Sequence, residues 1–575
     1  MAVATFLRRG FCLVLPLALA CSIWLYLYPV FKGCAFPIAS RDAIEAFQET
    51  KKLHWPYAEP DNELPTALAP FRLLALGDPQ LEGDTSIPIK TFGFLPHLKK
   101  IAKNVAFRSK HSSLRERIRM TLHDTVDFYF EDIPNVLESI RKVIDHFCND
   151  FYLAHIYRTV HWWTRPTHVT VLGDLVGSQW IDNAEFERRG RRFWNRTFSG
   201  AERVPDEVAL FPQREYDVSG VLSNSVESGV WTRRILNVVG NHDVGYAGDL
   251  TEERMERFER VFGKANYELR FELPVTDPEL NKTIVDDETN PESLRLRPEI
   301  RIVLLNDMNL DTPAKSSVLQ DATYSYVNAI IGNSHAVEFQ GGFTIILTHI
   351  PTYKPKGICV DAPYFDFYPS SEGGGVREQY LLSPDASKGF FEGILGVSGN
   401  TNADGKGLGR PGVILNGHDH AGCDTYHFIN QTNGTTQADR SWEHITWEDA
   451  QAQEIPAMPG HPGRREITVR SMMGGFGGNA GLLSLWFDWE AWEWRFEYAD
   501  CALGTQHFWW FTHIVDVIVI ALAVAFLGVR GLEANGVNVD KRACALVAFL
   551  RKRNNELWTR GTKTTAQASG TPKAA

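Results

Sequence analysis

Cysteine is scarce, eight residues in 575, and no two of them stand in a CxxC spacing. That excludes a zinc ribbon, a thioredoxin-type motif and a scaffold built on disulfides. No long Lys/Arg stripe is present, and 70 acidic against 59 basic side chains leave a formal charge of -11. The electrostatic footprint of a nucleic-acid binder is missing, so no nucleic-acid partner is expected. Hydrophobic residues at 44% and charged residues at 22% lie near the globular average, which excludes a disordered, collagen-like or coiled-coil chain. The length leaves room for two to four domains at roughly 100 to 200 residues each, or for one large core with insertions.

Charge is absent from Gly10 to Phe31 (GFCLVLPLALACSIWLYLYPVF). Such a run, about 22 residues, crosses roughly 30 Å of hydrocarbon as a helix. It is longer than the apolar part of a cleaved signal peptide, and bulky Trp24, Tyr26 and Tyr28 stand where cleavage would need small residues. An uncleaved anchor is expected. A second run, Phe508 to Val529, carries Trp509 and Trp510 at one end, where an interfacial aromatic belt would sit, and one acid, Asp516. Arg8 and Arg9 precede the first run, and Arg530, Lys541 and Arg542 follow the second. The positive-inside rule then places both termini in the cytosol and the segment between them in a lumen. Acceptor sequons at Asn195, Asn281, Asn430 and Asn433 all fall in that segment. So do Cys34, Cys148, Cys359, Cys423 and Cys501, an odd set, so at least one thiol stays free or pairs between chains. Cys359 with Cys423 is the bridge expected here.

Residues 32–70, with Pro37, Pro56, Pro60, Pro65 and Pro70, read as a connector. After it, short apolar runs recur: RLLALGD at 72–78, HVTVLGD at 168–174, RILNVVGN at 234–241, RIVLLND at 301–307, FTIILTH at 343–349 and GVILNGH at 412–418. Runs of this length, bounded by polar clusters, predict strands buried on both faces, with the polar residues at their C-terminal ends. That is where open α/β sheets place their sites. Residues 96–165 read as mainly helical, with Ile133, Val136, Leu137, Ile140 and Ile144 on one face. After 465, ITVRSMM and LLSLWFDW predict a second sheet packed on the first. Segments 199–230, 276–298 and 370–410 read as loops.

The strand ends carry Asp78-Pro79-Gln80, Gly173-Asp174, Gly240-Asn241-His242-Asp243, His349 and Gly417-His418-Asp419-His420. Carboxylate, imidazole and amide oxygens without a thiolate set suit Mn, Zn or Fe rather than a structural zinc. One carboxylate bridging two ions roughly 3.5 to 4 Å apart would clamp a phosphorus centre. A single Asp or His at a strand end is usually a loop residue; five clusters in order, each after a buried strand, are not coincidence.

GDPQ, GDLVG, GNHD, LTH and NGHDH, in this order over roughly 71–480, resemble the calcineurin-like metallophosphoesterase superfamily. The resemblance implies an α/β fold, a four-layer α/β/β/α sandwich, here with two flanking transmembrane helices. It also implies roles. Asp174 bridges two divalent ions, most simply Mn2+, with Zn2+ or Fe as alternatives. Asp78, Gln80 and His420 complete one site; Asn241, His349 and His418 complete the other. His242 acts on the phosphate, as a proton donor or a stabiliser of charge, and Asp243 orients its imidazole. Gln80 stands where the superfamily commonly has His, so one ion is expected to bind more loosely, exchange readily or favour Mn over Zn; the alternative is that Gln80 leaves the metal and hydrogen-bonds a bound water.

The DPQ variant and the two terminal spans are similar to the membrane-bound branch that removes ethanolamine phosphate from a mannose of GPI anchors in the early secretory pathway. That implies a hydrolase of the endoplasmic reticulum or early Golgi membrane, acting on GPI-anchored proteins or the GPI glycolipid, in contact with cargo receptors. A lumenal phosphoesterase for another diester, and a non-catalytic factor binding GPI cargo, are the alternatives. The expected segments are a cytosolic 1–9, spans at 10–31 and 508–529, a connector 32–70, a lumenal catalytic domain 71–500 and a partly disordered cytosolic tail 530–575.

Overall fold

The computed structural model describes residues 2–54, 67–210, 219–222, 229–284, 294–431 and 441–567. It divides into two units, Tyr28–Gln506 and the paired ends Met1–Leu27 with His507–Ala575.

In the terminal unit, Val3–Tyr26 and Gln506–Ala534 are each long and apolar enough to cross a membrane. The first helix starts earlier than the run Gly10 to Phe31 and stops at Tyr26. Leu27 caps it, and Tyr28–Phe31 forms a separate turn around Pro29, which has no amide hydrogen to continue the ladder. Asp516 accepts hydrogen bonds from Ser22 Oγ at 3.1 and 3.2 Å. Its charge is thus met by a hydroxyl of the neighbouring helix. The expected tail contains a helix, Val539–Gln567; residues 568–575 lie outside the described set.

In the other unit all six apolar runs become strands. The first sheet runs, edge to edge, Glu493–Ala502, Asn479–Asp488, Phe71–Leu76, His168–Val171, Arg234–Asn237 and Glu202–Arg203. Phe71–Leu76, His168–Val171 and Arg234–Asn237 are parallel. The second runs Trp442–Thr446, Cys423–Ile429, Gly463–Thr468, Gly412–Asn416, Gln340–Leu347, Arg295–Leu304, Tyr267–Glu272 and Gly220–Val221. Its centre, from Gly463–Thr468 to Arg295–Leu304, is parallel.

The six runs therefore split three and three, and no separate sheet forms after 465: Gly463–Thr468 joins the second sheet, while Asn479–Asp488 and Glu493–Ala502 join the first. A doubly buried strand has the same composition in either sheet, so local sequence does not choose its partner. Leu73, Ala75 and Leu236 from one sheet meet Ile302, Ile345 and Val413 from the other in a shared core. Helix Ile133–Thr164 lies against the first sheet, contacting Asn479–Asp488. Helix Ser317–Gly332 lies on the second, where Arg301 Nη2 donates to the Ile330 carbonyl at 2.9 Å. Helix, sheet, sheet, helix is the four-layer α/β/β/α sandwich.

Disulfides join Cys34 to Cys501 and Cys359 to Cys423, and Cys148 is the thiol left over. Asn195 and Asn281 are exposed; Asn433 lies outside the described residues. Leu137, Ile140 and Ile144 share a face as their spacing predicts, but that face points outward and each is more than half exposed.

Candidate metal and catalytic site

The C-terminal ends of three strands of the first sheet and two of the second bring every predicted site residue into one place. Four of these residues hold left-handed backbone: Asp78 at φ 43°, Gln80 at 40°, Asp174 at 51° and His418 at 70°. Each such conformation costs about 1 to 2 kcal/mol, so the site carries backbone strain. The glycines of the motifs permit the close approach. A Cβ on Gly240 would lie 2.1 Å from the Asp174 amide nitrogen, and one on Gly173 would lie 2.2 Å from His349 Nδ1.

His349, His418 and Asp174 form one cluster, their ligand atoms within 4.8 Å of one another. The protons can be assigned from their acceptors. His349 Nδ1 sits 2.7 Å from the Leu172 carbonyl and must donate to it, leaving a lone pair on Nε2. His418 Nε2 sits 3.0 Å from the Gln379 carbonyl and must donate, leaving a lone pair on Nδ1. Both lone pairs face Asn241 Oδ1 at 3.0 Å, and His349 Nε2 lies 3.4 Å from Asp174 Oδ1. Four electron-pair donors converge with no proton to share, an arrangement a divalent cation satisfies. Burial holds both imidazoles neutral, His418 at about 3 and His349 below its ordinary value.

Asp78, Asp174 and His420 form a second cluster of the same tightness, with Asp174 common to both. Burial would raise the Asp174 carboxyl, but in the acid range where it titrates the imidazoles of His242, His349 and His418 carry charge, and with the His242 amide they outweigh burial and hold it at about 2. Asp78 is raised well above the ordinary range by burial and by Asp174. Its Oδ2 is buried without a hydrogen-bond partner among the described residues, as a ligand-to-be would be. Gln80 points its amide nitrogen, not its oxygen, at this cluster: Nε2 donates to Asp174 Oδ2 at 3.0 Å and faces His420 Nε2 at 3.1 Å. Ligation by Gln80 therefore needs a half-turn of its amide.

His242 lines the cleft with its side chain 38% exposed and Nε2 3.8 Å from Asp174 Oδ2. Asp243 does not touch that ring. Its carboxylate accepts from the amides of Val176 and Gly240, both at 2.9 Å, so it fixes the two motif loops against each other. His242 is instead held through its backbone, whose N–H donates to Asp174 Oδ1 at 2.8 Å.

The cleft in front of the clusters measures about 840 Å³. Its outer wall comes from residues that the motifs did not reveal: Trp180, Tyr246, Asp361, Tyr368, Glu378 and Tyr380. Asp361 rides on a segment fastened by Cys359–Cys423 beside the NGHDH loop. Glu378 and Asp361 both push up the Tyr380 phenol, with burial a smaller cause than Glu378. Neither carboxylate is in an ion pair among the described residues, whereas the one cation of the wall, Arg377, pairs with Asp366 at 3.1 Å. Phe476 reaches the cleft from the glycine-rich turn and lies 4.9 Å, ring to ring, from His420.

A two-sheet sandwich with paired Asp/His clusters at its strand ends defines a metallophosphoesterase-like protein. No family model matches the chain. Protein TED1 of Saccharomyces cerevisiae is 31% identical over 419 residues, 66% of this chain and 76% of that protein. An uncharacterized protein of Schizosaccharomyces pombe is 27% identical over 359 residues, 60% of this chain and 64% of its own length. Metallophosphoesterase 1 of Danio rerio is 23% identical over 308 residues, 53% of this chain and 65% of its length. The chain belongs to this metallophosphoesterase family, together with Protein TED1.

Proposed function

We propose that the protein is a dinuclear phosphodiesterase that removes ethanolamine phosphate from a mannose of the GPI glycan, with its catalytic domain in the lumen of the early secretory pathway. The observation that carries the reaction class is the convergence of unprotonated His349, His418, Asn241 and Asp174 atoms, with Asp78 and His420 sharing Asp174. Those residues would hold two divalent ions, which supply Lewis acidity at phosphorus and an acidified water. The chain does the rest. A water oxygen adds to phosphorus as its proton passes to solvent, the bond from phosphorus to the mannose oxygen breaks, and a protonated His242 gives the leaving oxygen a proton, which it regains from solvent. Asp243 acts by holding the GNHD loop in register.

The cleft wall supports the substrate. A phosphodiester is anionic, and unpaired carboxylates at the mouth would repel it unless it brought its own cation. An ethanolamine ammonium meets that need: Asp361 and Glu378 offer charge, and Tyr368, Tyr380 and Trp180 offer ring faces. Manganese, the lumenal topology and contacts with cargo receptors belong to the same reading. The test is mass spectrometry of GPI glycans from cells lacking the protein, then supplied with the wild type or His242→Ala. An extra ethanolamine phosphate that only the wild type removes is the expected result; unchanged glycans would discard the substrate.

A further inference from the structure

We propose that the helical segment 88–151 is a membrane-interface element, seated with its outward face in the headgroup and acyl boundary of a lipid bilayer. Leu114, Ile118, Leu122 and Val126 recur every four residues along Leu114–Asp127, and each is more than half exposed. Leu137, Ile140, Ile144 and Phe147 make a second stripe on the first half of Ile133–Thr164, also more than half exposed. Phe107 projects at the turn before Leu114–Asp127 and Phe130 from the π-helical stretch Phe128–Asp132 that joins the two helices, 67% and 78% exposed.

Several polar side chains instead face inward. Asn104 Nδ2 donates to Asp124 Oδ2 at 3.2 Å. Asp132 accepts from the amides of His97 and Leu98 at 3.0 and 3.1 Å. The Ser139 hydroxyl accepts from the Ile89 amide at 2.9 Å. Asn104, Asp124, Asp132 and Ser139 are all buried. Helices packed in water hide their apolar stripe; these leave theirs exposed while Asn104, Asp124, Asp132 and Ser139 tie their inner faces together. A contiguous apolar surface of this extent marks a contact with a protein or a membrane.

Two observations select lipid. Between His97 and Met120 the sequence holds eight Lys and Arg against one acid, Glu116. Basic residues beside an exposed apolar stripe are the composition of an interfacial helix, the cations meeting lipid phosphates while the stripe enters the acyl boundary. In addition, the chain has two candidate spans, so a bilayer is always present at high effective concentration. The inference stands apart from the choice of substrate.

The test uses the full-length chain in nanodiscs of phosphatidylcholine and phosphatidylinositol, with the free Cys12, Cys21, Cys148 and Cys544 replaced by Ser. A polarity-sensitive fluorophore is placed at Leu122→Cys, at Leu137→Cys and, as a control, at exposed Lys388→Cys. The expected result is blue-shifted emission at 122 and 137, shielded from aqueous iodide and quenched roughly twofold by shallow nitroxide lipids, with the control in water. Water-like emission at 122 and 137 would overturn the proposal. Shielding from iodide without quenching by nitroxide lipid would also overturn it, because protein would then cover the face.

Discussion

His242 faces the cleft with no side-chain hydrogen bond to Asp243, so the imidazole is free to turn toward a leaving group while the metal cradle stays intact. His242→Ala should therefore lower kcat by about a hundredfold to ten-thousandfold and leave bound metal unchanged. Parallel turnover of an aryl phosphodiester and elemental analysis check this; a loss of metal would reassign His242 to the cradle. Gln80 makes the opposite case. Its amide lies against Asp174 and His420, and an amide is a weaker ligand than the imidazole that commonly stands there. Gln80→His should raise metal content toward two ions per chain, read by elemental analysis after dialysis. No gain would mean that the amide turns and ligates. The cradle was legible in the sequence because each ligand belongs to a short motif that ends a buried strand. The direction of the Gln80 amide and the job of Asp243 were not, since both depend on atoms from other loops. Asp361, Glu378 and Tyr380 carry no local signature either, and reach the site only through the fold.

Secondary structure was legible wherever both faces of a strand are buried, because a run such as FTIILTH has one plausible local state. Sheet membership was not, and the helix face of Leu137 and Ile140 shows the same limit: periodicity reveals a face but not what covers it. The segment after His349 is the element whose function depends most on the fold. The Cys359–Cys423 bridge fastens the turn bearing Asp361 to the strand that follows His420, and with it one side of the cleft wall. Replacing both cysteines by Ser should raise KM for an aminoethyl phosphodiester by up to about tenfold, or about 1.4 kcal/mol, with little change in kcat. Steady-state kinetics of the wild type and the double variant decide it. A fall in kcat with constant KM would show that the bridge supports the metal cradle rather than the wall.

Across the whole molecule, stability is tied to pH by histidines that fold neutral. His168 is closed in by the rings of Phe71, Trp231 and Phe271, and burial, with a smaller push from Arg72, holds it at about 3. Burial and neighbouring His427 hold His444 at about 3 as well. An unfolded imidazole titrates near 6.5. Between these values the unfolded chain takes up protons that the folded chain refuses, so stability present above pH 6.5 is lost progressively as pH falls toward 3. Glu466 acts in the same direction lower down. Burial opposes its charge, but Lys354 at 2.8 Å and His427 at 2.8 Å overcome that and hold its carboxyl far below the usual glutamate range; this contribution fades only below about pH 4.5. At pH 5 the His168 contribution alone is a loss of about 2 kcal/mol relative to neutral pH. Unfolding of the full-length protein in detergent at pH 7.5 and 5, compared between the wild type and His168→Met, isolates it. The wild type should lose about 2 kcal/mol more than the variant over that interval, whereas equal losses would show that the fold admits a proton at His168.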